Sequence, residues 1–142
     1  MALDDQIRDL LKTARTIAVV GLSNKSWRPS YDVAAYLRSA SYTVVPVNPE
    51  VDEVLGLKSY PDLFAAARDH PIEIVDVFRK SEFVPGIVEQ AIGIHARALW
   101  LQVGVIHREA AQRAHLAGLI VVMDRCIKVE HRRWQESEER GS

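Results

Sequence analysis

Residues 16–30 read TIAVVGLSNKSWRPS, an order typical of a strand, a turn and the beginning of a helix. The apolar run ends at Gly21, a polar loop follows, and Pro29 stands where the first helical turn tolerates a proline. The same succession of an apolar run and an amphipathic segment recurs along the chain. Strands of continuous apolar character, each followed by a helix, indicate a parallel sheet that is covered on both faces.

The remaining strands and helices follow from the same patterns. Strands are predicted at residues 16–21, 43–47, 72–78, 98–102 and 119–123. Helices are predicted at residues 4–14, 29–40, 81–92 and 107–117, with one more after Pro61. Right-handed crossovers then give an α/β, Rossmann-like doubly wound sheet of five mostly parallel strands with helices on both faces. A flavodoxin-like strand order is the alternative.

Several local expectations accompany this fold. Ser30 is predicted to cap the second helix, and Pro46 indicates either an edge strand or an irregularity near the strand end because it lacks a ladder donor. The chain is predicted to form a single domain over residues 1–134, with an N-terminal helix in residues 1–15 packed on it. Residues 135–142 are almost all charged or small, and they predict a disordered tail.

The composition is that of an ordinary globular protein. The 142 residues suit one domain, and with 48% hydrophobic and 26% charged residues a disordered chain is excluded. Eighteen Lys and Arg residues against nineteen Asp and Glu residues give a net charge of −1, which disfavours nucleic acid as a partner. Cys126 is the single cysteine, no apolar run is long enough for a membrane span, and the acidic start is unlike a secretory signal. The predicted compartment is the cytoplasm.

Four cations are predicted at one edge of the sheet. The loops after the first and third strands hold Lys25, Arg28, Arg79 and Lys80, and each loop leads into a helix N-terminus. Ligands of open parallel sheets bind at the carboxyl ends of the strands, near the point where the strand order reverses. Cations, backbone amides and helix dipoles together favour a small-molecule ligand with several phosphate groups.

The first loop matches the dinucleotide-binding fingerprint only in part. In register with G-x-G-x-x-G the chain has Gly21, Ser23 and Ser26, so the second and third glycines are absent. The second strand ends in Asn48 and Pro49, without the acidic residue that holds the ribose diol of NAD. The cations favour a phosphorylated ligand, whereas the absent carboxylate disfavours NAD.

Five short motifs occur in order, each at the end of a predicted strand. They are VVGLS (19–23), VPVNP (45–49), DVFR (76–79), WLQVG (100–104) and MDRC (123–126). This series resembles the small stand-alone CoA-binding domain proteins, which are relatives of the CoA-binding half of the succinyl-CoA synthetase alpha subunit. The resemblance extends over residues 16–130. It implies a Rossmann-like fold that binds coenzyme A, or an acyl-CoA, across the strand ends.

The resemblance also implies which residues surround the ligand. The loop of residues 21–28 would hold the diphosphate, residues 47–49 would border the adenosine, residues 77–79 would line its other side, and residues 102–104 would lie toward the pantetheine. The predicted binding residues are Gly21, Leu22, Ser23, Asn24, Lys25, Arg28, Val47, Asn48, Pro49, Val77, Phe78, Arg79, Lys80, Gln102 and Gly104. The second domain of the synthetase, which carries a phosphorylated histidine, has no counterpart after the fifth strand, so ligase activity is not implied.

No catalytic or metal-binding group is predicted. The five histidines lack metal-ligand spacing, and no serine lies in a G-x-S-x-G elbow. Cys126 beside Arg125 is either an inert, half-buried thiol or a reactive one that forms a mixed disulfide with CoA. The sequence therefore predicts a protein that binds CoA without evident catalysis.

Two other classes of function remain open at this point. One is an enzyme, either a small NAD(P)-dependent oxidoreductase or an acyl-CoA transferase, and the transferase would need Asp124 or His107 as its general base. The other is an interaction module whose nucleotide site regulates a protein partner.

Overall fold

The computed structural model describes residues 2–141 and is built around one parallel β-sheet. The strands are β1 (Thr16–Val20), β2 (Thr43–Val47), β3 (Glu53–Val54), β4 (Leu57–Lys58), β5 (Ile74–Val77), β6 (Ala98–Leu101) and β7 (Ile120–Met123). The main sheet contains five of them in the order β2-β1-β5-β6-β7, all parallel, while β3 and β4 form a small antiparallel hairpin. The predicted α/β, Rossmann-like sheet of five parallel strands is confirmed.

Helices cover both faces of the sheet. They are α1 (Leu3–Thr13), α2 (Pro29–Ser39), α3 (Leu63–Asp69), α4 (Val84–Gly93), α5 (Arg108–Leu116) and α6 (Ile127–Gly141), with a 3-10 turn at Ser81–Phe83 before α4. The apolar residues of α1, α2 and α6 pack on one face, and those of α3, α4 and α5 pack on the other. Among residues 2–141, no helix combines the length and apolar character that a bilayer crossing requires.

The strand order reverses between β1 and β5. From β1 the chain moves outward to β2, and it later returns to the other side of β1 to form β5. The carboxyl ends of β1, β2 and β5 therefore lie side by side at a topological switch point, where open α/β sheets bind their ligands. The five strands follow the flavodoxin-like order. Tyr60 forms an isolated parallel bridge with Val47 on the outer side of β2, which is the place of a further strand in the sheets of dinucleotide-binding folds.

β2 lies at the edge of the sheet, which is one of the two alternatives that Pro46 indicates. Pro46 is paired with Val19 of β1, and its carbonyl oxygen accepts a 3.0 Å hydrogen bond from Tyr60 N on the outer side. Among residues 2–141 only this single bridge lies beyond β2, so the missing N–H donor of Pro46 breaks no continuous ladder of hydrogen bonds.

α6 packs across α2 and holds it against the sheet. The Tyr36 hydroxyl lies 2.7 Å from His131 Nδ1, and Lys128 Nζ donates to Asp32 Oδ2 at 2.9 Å. Burial lowers the pKa of His131, which favours the neutral imidazole that this contact with a hydroxyl needs. These contacts fix the position of α2, whose N-terminus lies at the carboxyl edge of the sheet.

The residues after Trp134 differ from the prediction. Residues 135–141 continue α6 instead of forming a disordered tail, and Ser142 lies outside the described residues. Trp134 Nε1 donates to Glu138 Oε1 at 3.2 Å, a pairing four residues apart that supports a helix even where few residues are apolar.

The predicted cap of α2 also differs from the structure. Arg28 occupies the N-cap position, and Ser30 lies inside the first turn. The Ser30 hydroxyl instead accepts a 3.0 Å hydrogen bond from Ser23 N, so it serves the loop after β1 rather than the helix end.

Candidate functional site

Gly21 joins three strand ends at the switch point. Its φ is +85°, and a Cβ at this position would lie 2.4 Å from the Phe78 carbonyl oxygen and 2.9 Å from Arg79 Cδ. Both the positive φ and this close approach require glycine. Gly21 N donates to Val47 O, and Phe78 N donates to Val20 O, each at 2.8 Å. The end of β1 is therefore tied to β2 on one side and to β5 on the other.

The loop between β1 and α2 is held by its own hydrogen bonds. Ser30 Oγ accepts from Ser23 N at 3.0 Å, and Ser23 Oγ accepts from Lys25 N at 3.1 Å. Asn48 Nδ2 donates to Leu22 O at 3.0 Å, which connects this loop to the end of β2. These hydrogen bonds give the loop a defined shape. Asn48 therefore has a structural role in addition to its predicted contact with the ligand.

Two cavities meet at Gly21, and we call them together the crevice. The first has a volume of about 560 Å³ and lies over the start of α2, while the second has a volume of about 270 Å³ and lies between the end of β2 and the start of α4. The predicted residues that line the first cavity are Gly21, Ser23, Asn24, Lys25, Arg28, Asn48 and Phe78. Those that line the second are Gly21, Val47, Pro49 and Arg79.

The other predicted binding residues line neither cavity. Leu22 and Val77 are buried in the core on opposite faces of the sheet, and Lys80 is exposed beyond the crevice. Gln102 and Gly104 belong to a turn after β6. The crevice therefore collects the ends of β1, β2 and β5, and ligand contact at the end of β6 stays a prediction.

The crevice carries cations without ionic partners. Within residues 2–141, Lys25, Arg28 and Arg79 form no salt bridge. Lys25 Nζ lies 5.7 Å from the centroid of the Trp27 ring, and the Arg79 guanidinium lies 4.2 Å from that of Phe83. Trp27 is 75% exposed, so its contact leaves the Lys25 ammonium open to solvent. Unpaired cations beside a cavity favour an anionic ligand.

Two carboxylates also line the crevice. Asp62 in the second cavity accepts a 2.8 Å hydrogen bond from Ala65 N and thereby caps α3. Glu50 in the first cavity lies just beyond the end of β2, and it was not among the predicted binding residues. A carboxylate in this position is able to accept hydrogen bonds from a ribose diol, so NAD is the ligand with which CoA has to be compared.

Asp76, the first residue of the DVFR motif, is a buried polar residue for which the sequence predicts no role of its own. It is fully buried in β5, its Oδ1 accepts a hydrogen bond from Gln102 Nε2, and its Oδ2 has no hydrogen-bond partner among residues 2–141. Burial raises the pKa of Asp76 to about 8, against a smaller lowering by the hydrogen bond from Gln102. The sequence signal for it is a carboxylate inside the apolar run IVDVF of a strand buried on both faces.

The two candidate general bases of a transferase both make backbone hydrogen bonds. Asp124 Oδ1 accepts from Gly104 N at 2.8 Å, and His107 Nδ1 accepts from Ala110 N at 3.0 Å as the cap of α5. The Cys126 thiol is partly buried. In the part of the chain that the structure describes, no group of three or more His, Cys, Asp or Glu side chains is arranged to hold a metal ion. Asp124 and His107 thus have structural roles at this edge of the sheet.

Comparison with known proteins identifies the family. Residues 15–132 match the family model described as CoA binding domain, and the chain belongs to this family. The predicted resemblance is therefore confirmed. The uncharacterized protein YneT of Bacillus subtilis (strain 168) is 42% identical over 126 residues, which cover 89% of this chain and 92% of that protein.

Solved structures agree with the fold over nearly the whole chain. A hypothetical protein from Pyrococcus horikoshii OT3 is 42% identical, with a TM-score of 0.89 over 93% of this chain and 92% of that chain. A protein from Thermus thermophilus is 35% identical, with a TM-score of 0.88 over 94% of this chain and 99% of that chain. The Rossmann-like architecture is thus shared over more than nine tenths of this chain.

Proposed function

We propose that the protein binds coenzyme A, free or as an acyl-CoA, in the crevice at the carboxyl ends of β1, β2 and β5. The observation that carries this proposal is a group of three cations, Lys25, Arg28 and Arg79, that form no salt bridge within residues 2–141 and surround two cavities that meet at Gly21. Coenzyme A carries a diphosphate and a ribose 3′-phosphate, so its binding requires several cationic groups in one elongated site. Membership in the CoA binding domain family supports the same ligand class.

The chemistry of the crevice suggests an orientation for the ligand. The diphosphate would lie beside Gly21, which has no side chain to cover its backbone. It would also lie over the start of α2, where the helix dipole favours anions. Lys25 and Arg28 would neutralise it from the first cavity. The adenosine would lie on the apolar wall that Val47 and Pro49 provide in the second cavity.

Titration calorimetry with CoA and NAD tests the ligand class. We expect CoA to bind at least about tenfold more tightly, because NAD lacks the 3′-phosphate and therefore makes fewer contacts with the cations. Raising the salt concentration should weaken CoA more than NAD, since charge contributes more to its binding. Equal or tighter binding of NAD would contradict the proposal and would make Glu50 the ligand for a ribose diol.

Arg79→Ala is expected to weaken CoA binding by about 1.5–3 kcal/mol, the range for a hydrogen bond to a charged group. Arg79 forms no ion pair within residues 2–141 and lines the second cavity beside Phe83, so it is available to a phosphate. Calorimetry with CoA and dephospho-CoA measures the loss for each ligand. A smaller loss with dephospho-CoA would assign Arg79 to the 3′-phosphate, and an equal loss would assign it to the diphosphate.

Arg132→Ala is the matched control for this variant. Arg132 is an exposed arginine on α6 and lines neither cavity of the crevice. Both variants remove one positive charge, but only Arg79→Ala should change the affinity. If both variants bind CoA as tightly as the wild-type protein, Arg79 is a solvated surface charge and the crevice loses its central cation.

A further inference from the structure

A carboxyl group without a full set of partners lies directly beneath the crevice. Asp76 occupies the centre of β5 between Val19 of β1 and Trp100 of β6, and none of its side chain reaches solvent. Its Oδ1 accepts from Gln102 Nε2, and its Oδ2 has no hydrogen-bond partner among residues 2–141. Burying a carboxylate with an unpaired oxygen is strongly unfavourable, whereas burying the neutral acid is much less so.

The surroundings of Asp76 favour the neutral acid. Val19 and Trp100 are its apolar neighbours on the adjacent strands, and Gln102 is its polar neighbour. Burial raises its pKa to about 8, and no charged side chain of residues 2–141 contributes to the shift. Asp76 is therefore protonated at neutral pH, and it ionises where the pH exceeds about 8.

Gln102 connects Asp76 to the turn that follows β6. Val105 N donates to Gln102 O at 2.9 Å and closes the turn, and Gly104 N donates to Asp124 Oδ1 at 2.8 Å. Ile106 N then donates to Ser81 Oγ at 3.0 Å. Residues 102–106 are thus held at one end by Asp76 and at the other by the 3-10 turn.

The 3-10 turn belongs to the wall of the crevice. It begins at Ser81, two residues after Arg79, and ends at Phe83, whose ring lies 4.2 Å from the Arg79 guanidinium. Arg79 and Phe83 both line the second cavity. A continuous series of contacts therefore runs from Asp76 through residues 102–106 and the 3-10 turn to the cation of the crevice.

We propose that Asp76 is a positioning residue: its neutral form holds Gln102 and residues 102–106 against the 3-10 turn, and its ionisation weakens the binding of an anionic ligand. This inference rests on the proposed function of the crevice. Ionisation of Asp76 would weaken the binding of an anionic ligand in two ways. Residues 102–106 would have to open to admit water to the carboxylate, and the new negative charge would repel a phosphate above it.

Calorimetry with CoA between pH 7 and pH 9.5, on the wild-type protein and Asp76→Asn, tests the ionisation. We expect the wild-type protein to lose about tenfold in affinity over this range relative to the variant, which cannot ionise at this position. Titration of CoA itself affects both proteins equally and cancels in the comparison. Parallel pH profiles of the two proteins would overturn the inference.

Asp76→Val tests the positioning at pH 7. Valine suits a buried strand but removes the acceptor of the Gln102 amide. We expect about fivefold weaker CoA binding for Asp76→Val and unchanged binding for Asp76→Asn, since only the asparagine keeps the acceptor. Equal affinities of the two variants would show that Asp76 has a purely structural role.

An NMR titration of the Gln102 side-chain amide keeps the two proposals separate. In the ligand-free wild-type protein its signals should shift with a midpoint near the pKa of Asp76, about 8, and in Asp76→Asn they should not shift. If CoA binds at no pH, the proposed function fails and the NMR midpoint still tests Asp76. If CoA binds and the Gln102 signals do not titrate, the inference fails alone.

Discussion

Asp76→Asn is expected to raise the free energy of unfolding by about 4 kcal/mol at pH 7. Burial raises the pKa of Asp76 from 3.8 to about 8. At pH 7 the folded protein keeps this carboxyl neutral, whereas the unfolded chain ionises it freely, and each pKa unit of difference is worth about 1.4 kcal/mol. Asparagine keeps an oxygen that accepts from Gln102 Nε2. It also removes the free energy that the folded protein loses by keeping a carboxyl group protonated at pH 7.

The sign of the pH dependence follows from the raised pKa. The stability that neutral Asp76 contributes is fully present below a pH of about 3.8 and is lost as the pH rises to about 8. Urea unfolding at pH 4, 7 and 9 measures the difference between the two proteins, which should be small at pH 4 and largest at pH 9. If Asp76→Asn is no more stable than the wild-type protein at pH 7 and pH 9, the carboxylate is solvated in the native state.

Gly21→Ala is expected to lower the free energy of unfolding by about 2–4 kcal/mol and to weaken CoA binding by at least about tenfold. Alanine is strained at a φ of +85°, and its Cβ would lie 2.4 Å from the Phe78 carbonyl oxygen. Because that oxygen belongs to the backbone of the chain beyond β5, no side-chain movement relieves the contact. The ends of β1 and β5 would have to separate, and this changes the shape of the crevice.

Gly118→Ala is the matched control for the backbone strain. Gly118 has a φ of +98°, and a Cβ there would have no neighbour within 4 Å. Urea unfolding of this variant should show only the strain of a positive φ, about 1–2 kcal/mol, and CoA binding should not change. Equal losses of stability in the two variants, with CoA affinity retained in both, would show that the close approach to Phe78 is not what requires glycine at position 21.

The sheet is predicted well from the sequence because each strand is a short apolar run bounded by a helix pattern. The structure places β1 at Thr16–Val20 and β2 at Thr43–Val47, where these runs lie. The whole of α6 was missed, since no helix is predicted after the fifth strand and this segment has few apolar residues. This helix contains side-chain pairs one turn apart, such as Trp134 and Glu138. A pattern of hydrophobic residues does not reveal such pairs.

The sequence predicts some of the residues that line the crevice, because the topology of the sheet determines which strand ends lie side by side. Residues at the ends of β1, β2 and β5 come together because parallel strands end at the same edge of the sheet. The sequence does not show which side chains point into the cavities. Gln102 is predicted beside the ligand and its amide donates to Asp76, so its contact with a ligand stays a prediction. Glu50 was missed because the resemblance places only residues 47–49 of this segment beside the ligand, whereas the structure brings Glu50 to the first cavity.

Mapping of backbone amide shifts by ¹H–¹⁵N NMR during a CoA titration tests the central claim most directly. The largest shifts are predicted at the loop after β1 and at the ends of β2 and β5, with Gly21, Ser23 and Arg79 among them. A rival location is the cavity of about 210 Å³ between α1 and α6, which Ile7 and Trp134 line. Shifts centred on that cavity, with the loop after β1 unchanged, would contradict CoA binding at the carboxyl edge of the sheet.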